Sequence, residues 1–312
     1  MPKFDVTIAG ELNLDLILYG LPSELIPERE LLADRMVVTL GSSSAIVAHN
    51  LASLGSRVGF QSRIGDDDLG RIALERLGQS GVDTSRVLRT SGSIQTGLSV
   101  ILQRESSRNI LTYPGTIAEL ACDDLDFDYL TDSRHFHLSS FYLQGKLRPG
   151  VAGLLGKLKS AGLTVSLDTN DDPADQWQDG IHEVLRHVDV FLPNSREARK
   201  IAGSEDLEVA LTRLAEIVPV VVVKAGQEGA IAARGKERFR SPAIKVNIVD
   251  AVGAGDSFDA GFLHQYVRGA DLASCLASGN LTGAFSTTRP GGTEAFRDRE
   301  YREQFFAGKQ RL

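Results

Sequence analysis

Cysteine is scarce in this sequence of 312 residues, which contains only Cys122 and Cys275, far apart in the chain. Two distant cysteines provide neither a disulfide framework nor a clustered metal site, and they fit a reducing compartment. The sequence also lacks a run of about 18 apolar residues that would span a membrane. Its N-terminus, "MPKFDVTIAG", lacks the apolar core of a signal peptide. We therefore expect a soluble, cytoplasmic protein.

Runs of like charge are absent as well. The 34 basic and 41 acidic residues give a formal net charge of -7, and no five or six consecutive residues share one sign. Because nucleic-acid and anionic-membrane binding depend on clustered basic residues, neither partner is expected. The length is compatible with one large α/β domain or two small ones, and either buries enough apolar surface for an enzyme.

Predicted strands and helices alternate along most of the chain. Apolar runs such as "VGFQSRIG" and "LTVSLDTN" are each followed by a predicted helix, and one such helix is predicted through Trp177 to His187. This order favours parallel βαβ units. Val220 to Val223 are apolar at every position, which is typical of a strand covered by helices on both faces. We expect an α/β fold with a mostly parallel central sheet flanked by helices.

One segment breaks the alternation. Residues 96–115, "TGLSVILQRESSRNILTYPG", contain two strand-like runs joined by a polar turn and leave no room for a helix between them. This pattern predicts an antiparallel hairpin, and the run "MVVTL" at 36–40 is a candidate to join it. A small antiparallel β-sheet of this kind could act as a lid, or the hairpin could lie at a sheet edge with no mobile role.

The segment Asp250 to Val267, "DAVGAGDSFDAGFLHQYV", places three small residues and an aspartate where a loop becomes a helix. Unpaired N–H groups and the helix dipole attract anions to such a position, and Gly253, Ala254 and Gly255 leave room for a phosphate. A carboxylate at Asp256 conflicts with an anion site unless it accepts the proton of a hydroxyl that attacks a bound phosphoryl group. The alternative is that Asp256 only complements the helix N-terminus.

The same segment resembles the C-terminal signature D-T-x-G-A-G-D of the ribokinase-like, or PfkB-type, carbohydrate kinases, with Ala251 in place of the threonine. Further motifs of that family occur in its order from Gly10 to Gly292. The resemblance implies a single ribokinase-like α/β domain over residues 1–312, with lid strands inserted at about 13–40 and 95–115. It also implies ATP-dependent transfer of the γ-phosphoryl group to a hydroxyl of a sugar or sugar-like molecule. Asp256 would be the general base, and residues 253–256 would supply an amide anion hole.

Two motifs of this resemblance imply an acceptor site. "GELNLD" corresponds to the family's first strand end, where Asn13 and Asp15 would bind substrate hydroxyls, although Asp15 could also be a turn residue. "GSSSAIVAHNLASLG" corresponds to a glycine-rich helix start, but Ser42 replaces its second glycine and Ile46 replaces an asparagine that usually helps to hold the sugar. Asn50, one helical turn later, could substitute for it, or it could be solvated or bonded within the core. The implied substrate-binding residues are Asn13, Asp15, Gly41, Ser42 and Asn50.

The resemblance also implies ATP and magnesium as cofactors. "NSRE" matches an N-x-x-E element in which Asn194 and Glu197 organise magnesium, often through water, although a helix cap is the default for these residue types. "RPGG" resembles a loop that forms a monovalent cation site in many members, so potassium is a further candidate. The implied nucleotide-binding residues are Asp168, Asn170, Asn194, Glu197, Lys224, Gly226, Gly229 and, against the adenine, Asn280. The implied monovalent cation ligands are Asp250, Val252, Ser286, Arg289 and Gly291.

Three further possibilities stay open. A nucleoside kinase of the same fold is the nearest, because Ile46, Tyr113 and Phe141 could form a platform for a base or could be ordinary packing residues. A non-catalytic sugar or nucleotide sensor is the alternative from another class. Lid strands in this family often pair between subunits, which implies a possible homodimer. The expected ligands are a small sugar-like molecule and ATP, with no nucleic acid and no membrane.

Overall fold

The computed structural model describes residues 2–104 and 107–309. Strands and helices alternate as the sequence predicts. The strands are β1 (Phe4–Ala9), β2 (Leu14–Tyr19), β3 (Arg35–Leu40), β4 (Val58–Gly65), β5 (Asp83–Thr90), β6 (Leu98–Gln103), β7 (Arg108–Tyr113), β8 (Ser133–Leu138), β9 (Thr164–Leu167), β10 (Val190–Phe191), β11 (Val220–Lys224), β12 (Ala230–Arg234) and β13 (Glu237–Ser241). The helices are α1 (Ser43–Ser53), α2 (Asp68–Gln79), α3 (Phe127–Thr131), α4 (Val151–Ser160), α5 (Ile181–Leu185), α6 (Ser195–Ala202), α7 (Leu207–Ala215), α8 (Ala254–Tyr266), α9 (Leu272–Ser286), α10 (Glu294–Arg297) and α11 (Arg299–Lys309). Short 3-10 turns occupy Gly115–Ala118, Cys122–Asp124, Arg148–Gly150 and Gly226–Glu228.

The central sheet is mostly parallel, which confirms the predicted fold class. In the described residues its nine strands have the order β13-β12-β11-β10-β9-β8-β1-β4-β5. Every neighbouring pair from β11 to β5 is parallel, and only β12 and β13 are added in antiparallel fashion. Parallel strands that alternate with helices end on one common edge of the sheet, where a ligand site can be assembled.

Helices cover both faces of the central sheet. Val221 and Val223 pack in one hydrophobic cluster, whereas Val220 and Val222 pack in the other. Because side chains alternate along a strand, the uninterrupted valine run of β11 supplies both clusters, as the sequence predicts. Within residues 2–104 and 107–309, no helix combines the length and the apolar character needed to cross a bilayer.

A separate small sheet contains the predicted hairpin. It has the strand order β3-β2-β6-β7; the two outer pairs are antiparallel, and the central pair β2 and β6 is parallel. The run "MVVTL" joins it as part of β3, as the sequence suggests. One face packs against the rest of the chain, since Ile17 and Ile101 contact Val252 just before α8. Met36 and Leu111 are largely exposed.

The predicted helix through Trp177 to His187 is wrong at its beginning. Only Ile181–Leu185 is helical, and Trp177 lies in the irregular segment before it with a φ of 56°. The carboxylate of Asp172 accepts hydrogen bonds from the backbone N–H groups of Ala174, Gln176 and Trp177. These bonds give the backbone a local alternative to a helix, which aspartate often provides.

Candidate active site

The candidate site lies at the edge of the central sheet where its parallel strands end. Glu11 and Asp168 follow β1 and β9, and Lys224 closes β11. The start of α8 lies beside them, because a Cβ atom added to Gly255 would be 3.5 Å from Lys224 Nζ. Residues of distant motifs are thus assembled at one edge, which is the usual place for a ligand in an open α/β sheet.

The turn that begins α8 has the form of an anion site. Gly253 is the N-cap with a φ of 72°, and a Cβ atom at this position would lie 2.4 Å from the Cα atom of Gly292. Only glycine meets both conditions. In the part of the chain that the structure describes, the backbone N–H groups of Gly255 and Asp256 donate to no acceptor. These groups and the helix dipole leave the turn ready to bind negative charge.

Asp256 lies in the first turn of α8 and is buried, with 8% of its surface exposed. Burial raises the pKa of its carboxyl to about 6, and Asp168 adds to the shift, whereas Lys224 and the hydroxyl of Ser43 oppose it. A carboxyl with this pKa is largely ionised at neutral pH and still accepts a proton readily. Its environment therefore suits proton exchange with an incoming hydroxyl.

Lys224 does not point freely into a phosphate site, because two carboxylates hold its ammonium. Nζ lies 2.7 Å from Asp168 Oδ2 and 3.1 Å from Asp259 Oδ2, and both aspartates are buried. Burial is the strongest influence on Asp168 and opposes its ionisation, but the Lys224 ammonium and the hydrogen bonds from Lys224, Asp259 and the N–H of Asn170 together lower the pKa of that carboxyl. Asp259 was absent from the sequence predictions. Its spacing of three residues from Asp256, which puts both on one side of a helix, was the available signal.

Asn194 and Glu197 form the helix cap that the sequence analysis gave as the default. Asn194 Oδ1 accepts hydrogen bonds from the N–H groups of Arg196 and Glu197, and Glu197 accepts one from the N–H of Asn194 at 2.8 Å. Glu197 is also buried, and burial followed by repulsion from Asp168 raises its pKa. In residues 2–104 and 107–309 no group of three His, Cys, Asp or Glu side chains is positioned for a metal. A magnesium ion that keeps most of its waters still fits this acidic edge.

Asp250 connects three separate segments of the chain. Its carboxylate accepts hydrogen bonds from Tyr19 Oη at 2.6 Å, from the N–H of Gly291 at 3.0 Å and from the N–H of Val252 at 3.0 Å. Tyr19 belongs to β2 of the small sheet, so this bond joins that sheet to the turn before α8. The side chain of Arg289, another predicted cation-site residue, pairs with Asp298 at 2.8 Å.

Asp15 faces the same region from the small sheet. Burial raises the pKa of its carboxyl to about 7, and Asp256 and Asp250 add to the shift. A Cβ atom at Gly41 would lie 2.2 Å from Asp15 Oδ1, so glycine is needed for this approach. Asn13 is buried beside it, with its amide donating to the carbonyl of Leu14 at 3.0 Å. The carboxyls of Asp15 and Asp256 therefore lie close enough to repel each other.

Ser42 and Glu11 account for the departure from the glycine-rich motif. Ser42 has a φ of 61°, a conformation that favours glycine, and its hydroxyl donates to the carbonyls of Glu11 and Gly41 at 2.9 and 2.6 Å. The Glu11 carboxylate accepts a hydrogen bond from Ser44 Oγ at 2.6 Å, and burial raises its pKa. Glu11 was missed by the sequence predictions. A polar side chain beside the predicted pair in "GELNLD" was the available signal.

Two predicted asparagines have partners inside the protein. Asn50 is fully buried and donates to Ser257 Oγ and to the carbonyl of Gly292, both at 3.0 Å. The amide of Asn50 therefore has partners inside the protein, as the core-bonded alternative describes. Asn170 donates to Ser140 Oγ at 2.9 Å and also to the hydroxyl of Ser43. Both side chains connect elements around the site.

A cavity of about 650 Å³ extends from the start of α8 along the end of β11. The predicted nucleotide residues Lys224, Gly226, Gly229 and Asn280 all line it, as does Gly255 of the anion turn. The remaining wall is mainly aliphatic. A cavity that joins apolar walls to a helix N-terminus is suited to a base or ring on one side and a phosphate on the other.

Comparison with known proteins assigns the chain to one family. The family model described as "pfkB family carbohydrate kinase" matches residues 3–299. An uncharacterized sugar kinase of Archaeoglobus fulgidus is 30% identical over 78% of this chain and 96% of its own length. The 2-dehydro-3-deoxygluconokinase of Bacillus subtilis is 28% identical, with 87% of both chains covered. The cytidine kinase of Thermococcus kodakarensis is also 28% identical, with 88% of this chain and 93% of the relative covered.

Solved structures share the fold. An adenosine kinase from Sinorhizobium meliloti has a TM-score of 0.87 at 24% identity, and the match covers 99% of this chain and 100% of that one. A putative ribokinase II from E. coli in complex with ATP and magnesium has a TM-score of 0.86 at 24% identity, with the same coverage. At this identity the likeness concerns the arrangement of strands and helices.

Proposed function

The chain belongs to the pfkB family of carbohydrate kinases, and on that basis we propose that it uses Asp256 to activate a substrate hydroxyl for attack on the γ-phosphoryl group of ATP. As a sugar or nucleoside kinase of this family, it is a phosphotransferase with an alcohol group as acceptor. The observation that carries the proposal is the position of a buried carboxylate in the first turn of a helix whose amides at 255 and 256 donate to no acceptor within the described residues.

Asp256 acts as the general base in this proposal. The acceptor hydroxyl lies between Asp15, which binds it or a neighbouring hydroxyl, and Asp256, which takes its proton as the oxygen attacks phosphorus. The pKa of Asp256, raised to about 6, lies close to neutral pH, and a general base is most effective when its pKa is near the pH of the reaction. Because phosphoryl transfer depends mainly on positioning and charge, one such base is sufficient.

The first turn of α8 stabilises the transferred group. The backbone N–H groups of Gly255 and Asp256 face the oxygens on which negative charge develops, and the helix dipole adds to their effect. The close contact between Gly253 and Gly292 fixes this turn without a side chain in the way. The amides are therefore in place before the reaction begins.

The donor nucleotide occupies the cavity beside this turn. Its base lies toward Asn280 and its phosphates lie toward Gly255, which both line the cavity. Glu197 and Asn194 would hold magnesium through water at the acidic edge, and magnesium neutralises phosphate charge when it is bound. Potassium beside Asp250 is an additional proposal that the family resemblance suggests.

The small sheet acts as the lid in this proposal. Ile17 and Ile101 pack on Val252, and Tyr19 binds Asp250, so the sheet is in contact with the loop that precedes the anion turn. Closure over the acceptor would exclude water and limit the hydrolysis of ATP. The acceptor is a sugar, a sugar acid or a nucleoside, as the activities of the relatives suggest.

Coupled ADP release tests the proposal. The assay contains ATP, magnesium and potassium, and it compares sugars, keto-sugar acids and nucleosides as acceptors. We expect acceptor-dependent turnover that falls by roughly 10²- to 10⁴-fold in an Asp256→Asn protein, as for loss of a general base. Asp206→Asn is the matched control, because Asp206 caps the distant helix α7. Full turnover in the Asp256→Asn protein would refute the assigned role.

A further inference from the structure

Three consecutive serines at the start of α1 have different partners. Ser42 donates to the carbonyl oxygen of Glu11 at 2.9 Å, and Ser44 donates to the Glu11 carboxylate at 2.6 Å. The hydroxyl of Ser43, the first residue of the helix, instead meets the side chain of Asn170, which follows β9. Ser43 is therefore connected to a different part of the active-site edge from its two neighbours.

Asn170 leaves the hydrogen of the Ser43 hydroxyl available for another partner. Its Nδ2 donates to Ser43 Oγ and, at 2.9 Å, to Ser140 Oγ. Because an amide nitrogen only donates, Ser43 Oγ is the acceptor in this bond and its own hydrogen points elsewhere. Asn170 and Ser140 have φ values of 52° and 54°, and residues other than glycine keep such a conformation only where the surrounding structure holds it. The Ser43 hydroxyl is thus held in one direction.

The acceptor of this hydrogen is the carboxylate of Asp256. A hydrogen bond from the Ser43 side chain stabilises its ionised form and opposes the rise in pKa that burial causes. The starts of α1 and α8 lie side by side, because a Cβ atom at Gly253 would be 3.2 Å from Ile46 Cδ1. Ser43 and Ile46 are three residues apart and share one helix face. Side chains point toward the N-terminus of their helix, so the Asp256 carboxylate extends back toward this contact.

Other ionisable groups near Asp256 act on it through charge. They are Asp168, Lys224, Glu11, Asp15 and Asp259. A charge changes how readily the carboxyl ionises, whereas a hydrogen bond also fixes the direction of the oxygen that accepts it. With one oxygen of Asp256 held by Ser43, the other oxygen is left to accept a proton.

We infer that Ser43 is a positioning residue for phosphoryl transfer, and that its hydroxyl orients the Asp256 carboxylate toward the acceptor hydroxyl. Asn170 in turn holds Ser43, so the orientation of the general base depends on two side chains that are distant in sequence. The inference rests on the proposed function, because it requires that Asp256 take the proton. Loss of this hydrogen bond leaves substrate binding unchanged and slows the chemical step by roughly ten- to one-hundred-fold.

Steady-state kinetics test the inference with the acceptor that gives the highest turnover in the panel of sugars, keto-sugar acids and nucleosides. Ser43→Ala should lower kcat roughly ten- to one-hundred-fold, because a misdirected base affects the transition state. KM for ATP and for the acceptor should stay within about three-fold of the wild type. Ser43→Thr keeps the hydroxyl and should retain most of the wild-type kcat.

Ser80→Ala is the matched control. Ser80 is half-buried like Ser43, and its hydroxyl donates to the carbonyl of Leu77 at 2.7 Å at the end of the distant helix α2. This variant should keep the wild-type kcat. Circular dichroism checks that each variant is folded.

A double-mutant cycle separates an effect through Asp256 from a general effect on the fold. If Ser43 acts only by orienting that carboxylate, Ser43→Ala should lower kcat by no more than about two-fold when it is added to Asp256→Asn. A general effect on the fold would lower kcat by the same factor in both backgrounds.

Each result decides a different question. The wild-type kcat in a folded Ser43→Ala protein would overturn the inference, as would an equal loss in the Asp256→Asn background. In either case a low kcat of the Asp256→Asn protein itself would still support the proposed function. Full turnover in the Asp256→Asn protein would instead refute the proposed function, and the inference with it.

Discussion

Removal of one oxygen atom tests whether the small sheet holds the anion turn in place. Tyr19→Phe deletes the hydroxyl that donates to Asp250 at 2.6 Å. The aromatic ring remains, and so does its contact with the Arg35 guanidinium, which lies 4.3 Å from the ring centre. Asp250 keeps its bonds to the N–H groups of Val252 and Gly291. The variant therefore isolates one hydrogen bond between β2 and the turn.

The size of the effect follows from the charge and burial of the acceptor. Asp250 is 4% exposed, and a hydrogen bond to a charged group contributes about 1.5 to 3 kcal/mol. We expect the free energy of unfolding to fall by about 1.5 kcal/mol, which lowers the melting temperature by a few degrees for a chain of this size. If the loss of stability is confined to the turn at 250–256, this turn opens about ten times more often in the Tyr19→Phe protein than in the wild type.

Hydrogen–deuterium exchange of peptides that cover 250–256, together with calorimetry, measures both effects. Tyr113→Phe is the matched control, because this tyrosine is 51% exposed on the same sheet and its hydroxyl has no partner in the described residues. The control should change stability by less than about 0.5 kcal/mol. Exchange in the turn that is the same in Tyr19→Phe and wild type would refute the reasoning, as would an equal loss in the control.

Three further predictions concern the charges of the site and the small sheet. Turnover should fall as pH decreases from about 7 to about 6, because Asp15 and Asp256, whose pKa values are raised to about 7 and about 6, lose their charges in this range. Turnover that stays the same down to pH 5 would contradict this. Lys224→Met leaves two buried aspartates without their lysine partner and should lower the free energy of unfolding, measured by urea titration, by about 3 to 5 kcal/mol. Lys159→Met is the control, because Lys159 belongs to a more exposed ion pair, and it should change the free energy of unfolding by at most about 1 kcal/mol. We propose that the small sheet pairs with a second copy, so light scattering should give a dimer for the wild type and a monomer for Leu111→Lys; a wild-type monomer would refute the pairing.

The elements that the sequence predicted correctly depend on local patterns. The valine run at 220–223 is apolar at every position, so its burial between two helical layers follows from composition alone. The start of α8 at Ala254 likewise depends on neighbouring residues and on the properties of any helix start. The same local logic was wrong before Ile181, because the carboxylate of Asp172 binds three backbone amides there.

The contacts that the sequence did not reveal join residues that are distant in the chain. Tyr19 meets Asp250 across 231 positions, and neither residue carries a local sign of the other. Helical spacing fits a solvated, a substrate-binding and a core-bonded role of Asn50 equally well, and only the packing of α1 against α8 shows which partner its amide has. Glu11 becomes important because α1 begins beside it, which is likewise a property of the assembled chain.

The crowding of carboxylates around one lysine has a consequence for how such a protein evolves. Asp168, Asp259, Glu197 and Asp256 surround the ammonium of Lys224. For Asp256 alone, a pKa of about 6 where 3.8 is usual costs about 3 kcal/mol of stability above pH 6. This cost disappears as pH falls toward 4, because the unfolded chain then also binds the proton.

Replacing Asp256 with a neutral residue would therefore make the ligand-free chain more stable and, under the proposed function, the enzyme less active, as is common for functional sites. Only selection for catalysis opposes that change. A descendant that kept ligand binding and abandoned phosphoryl transfer would be expected to lose the Asp256 carboxylate early, because no activity would then offset its cost to stability.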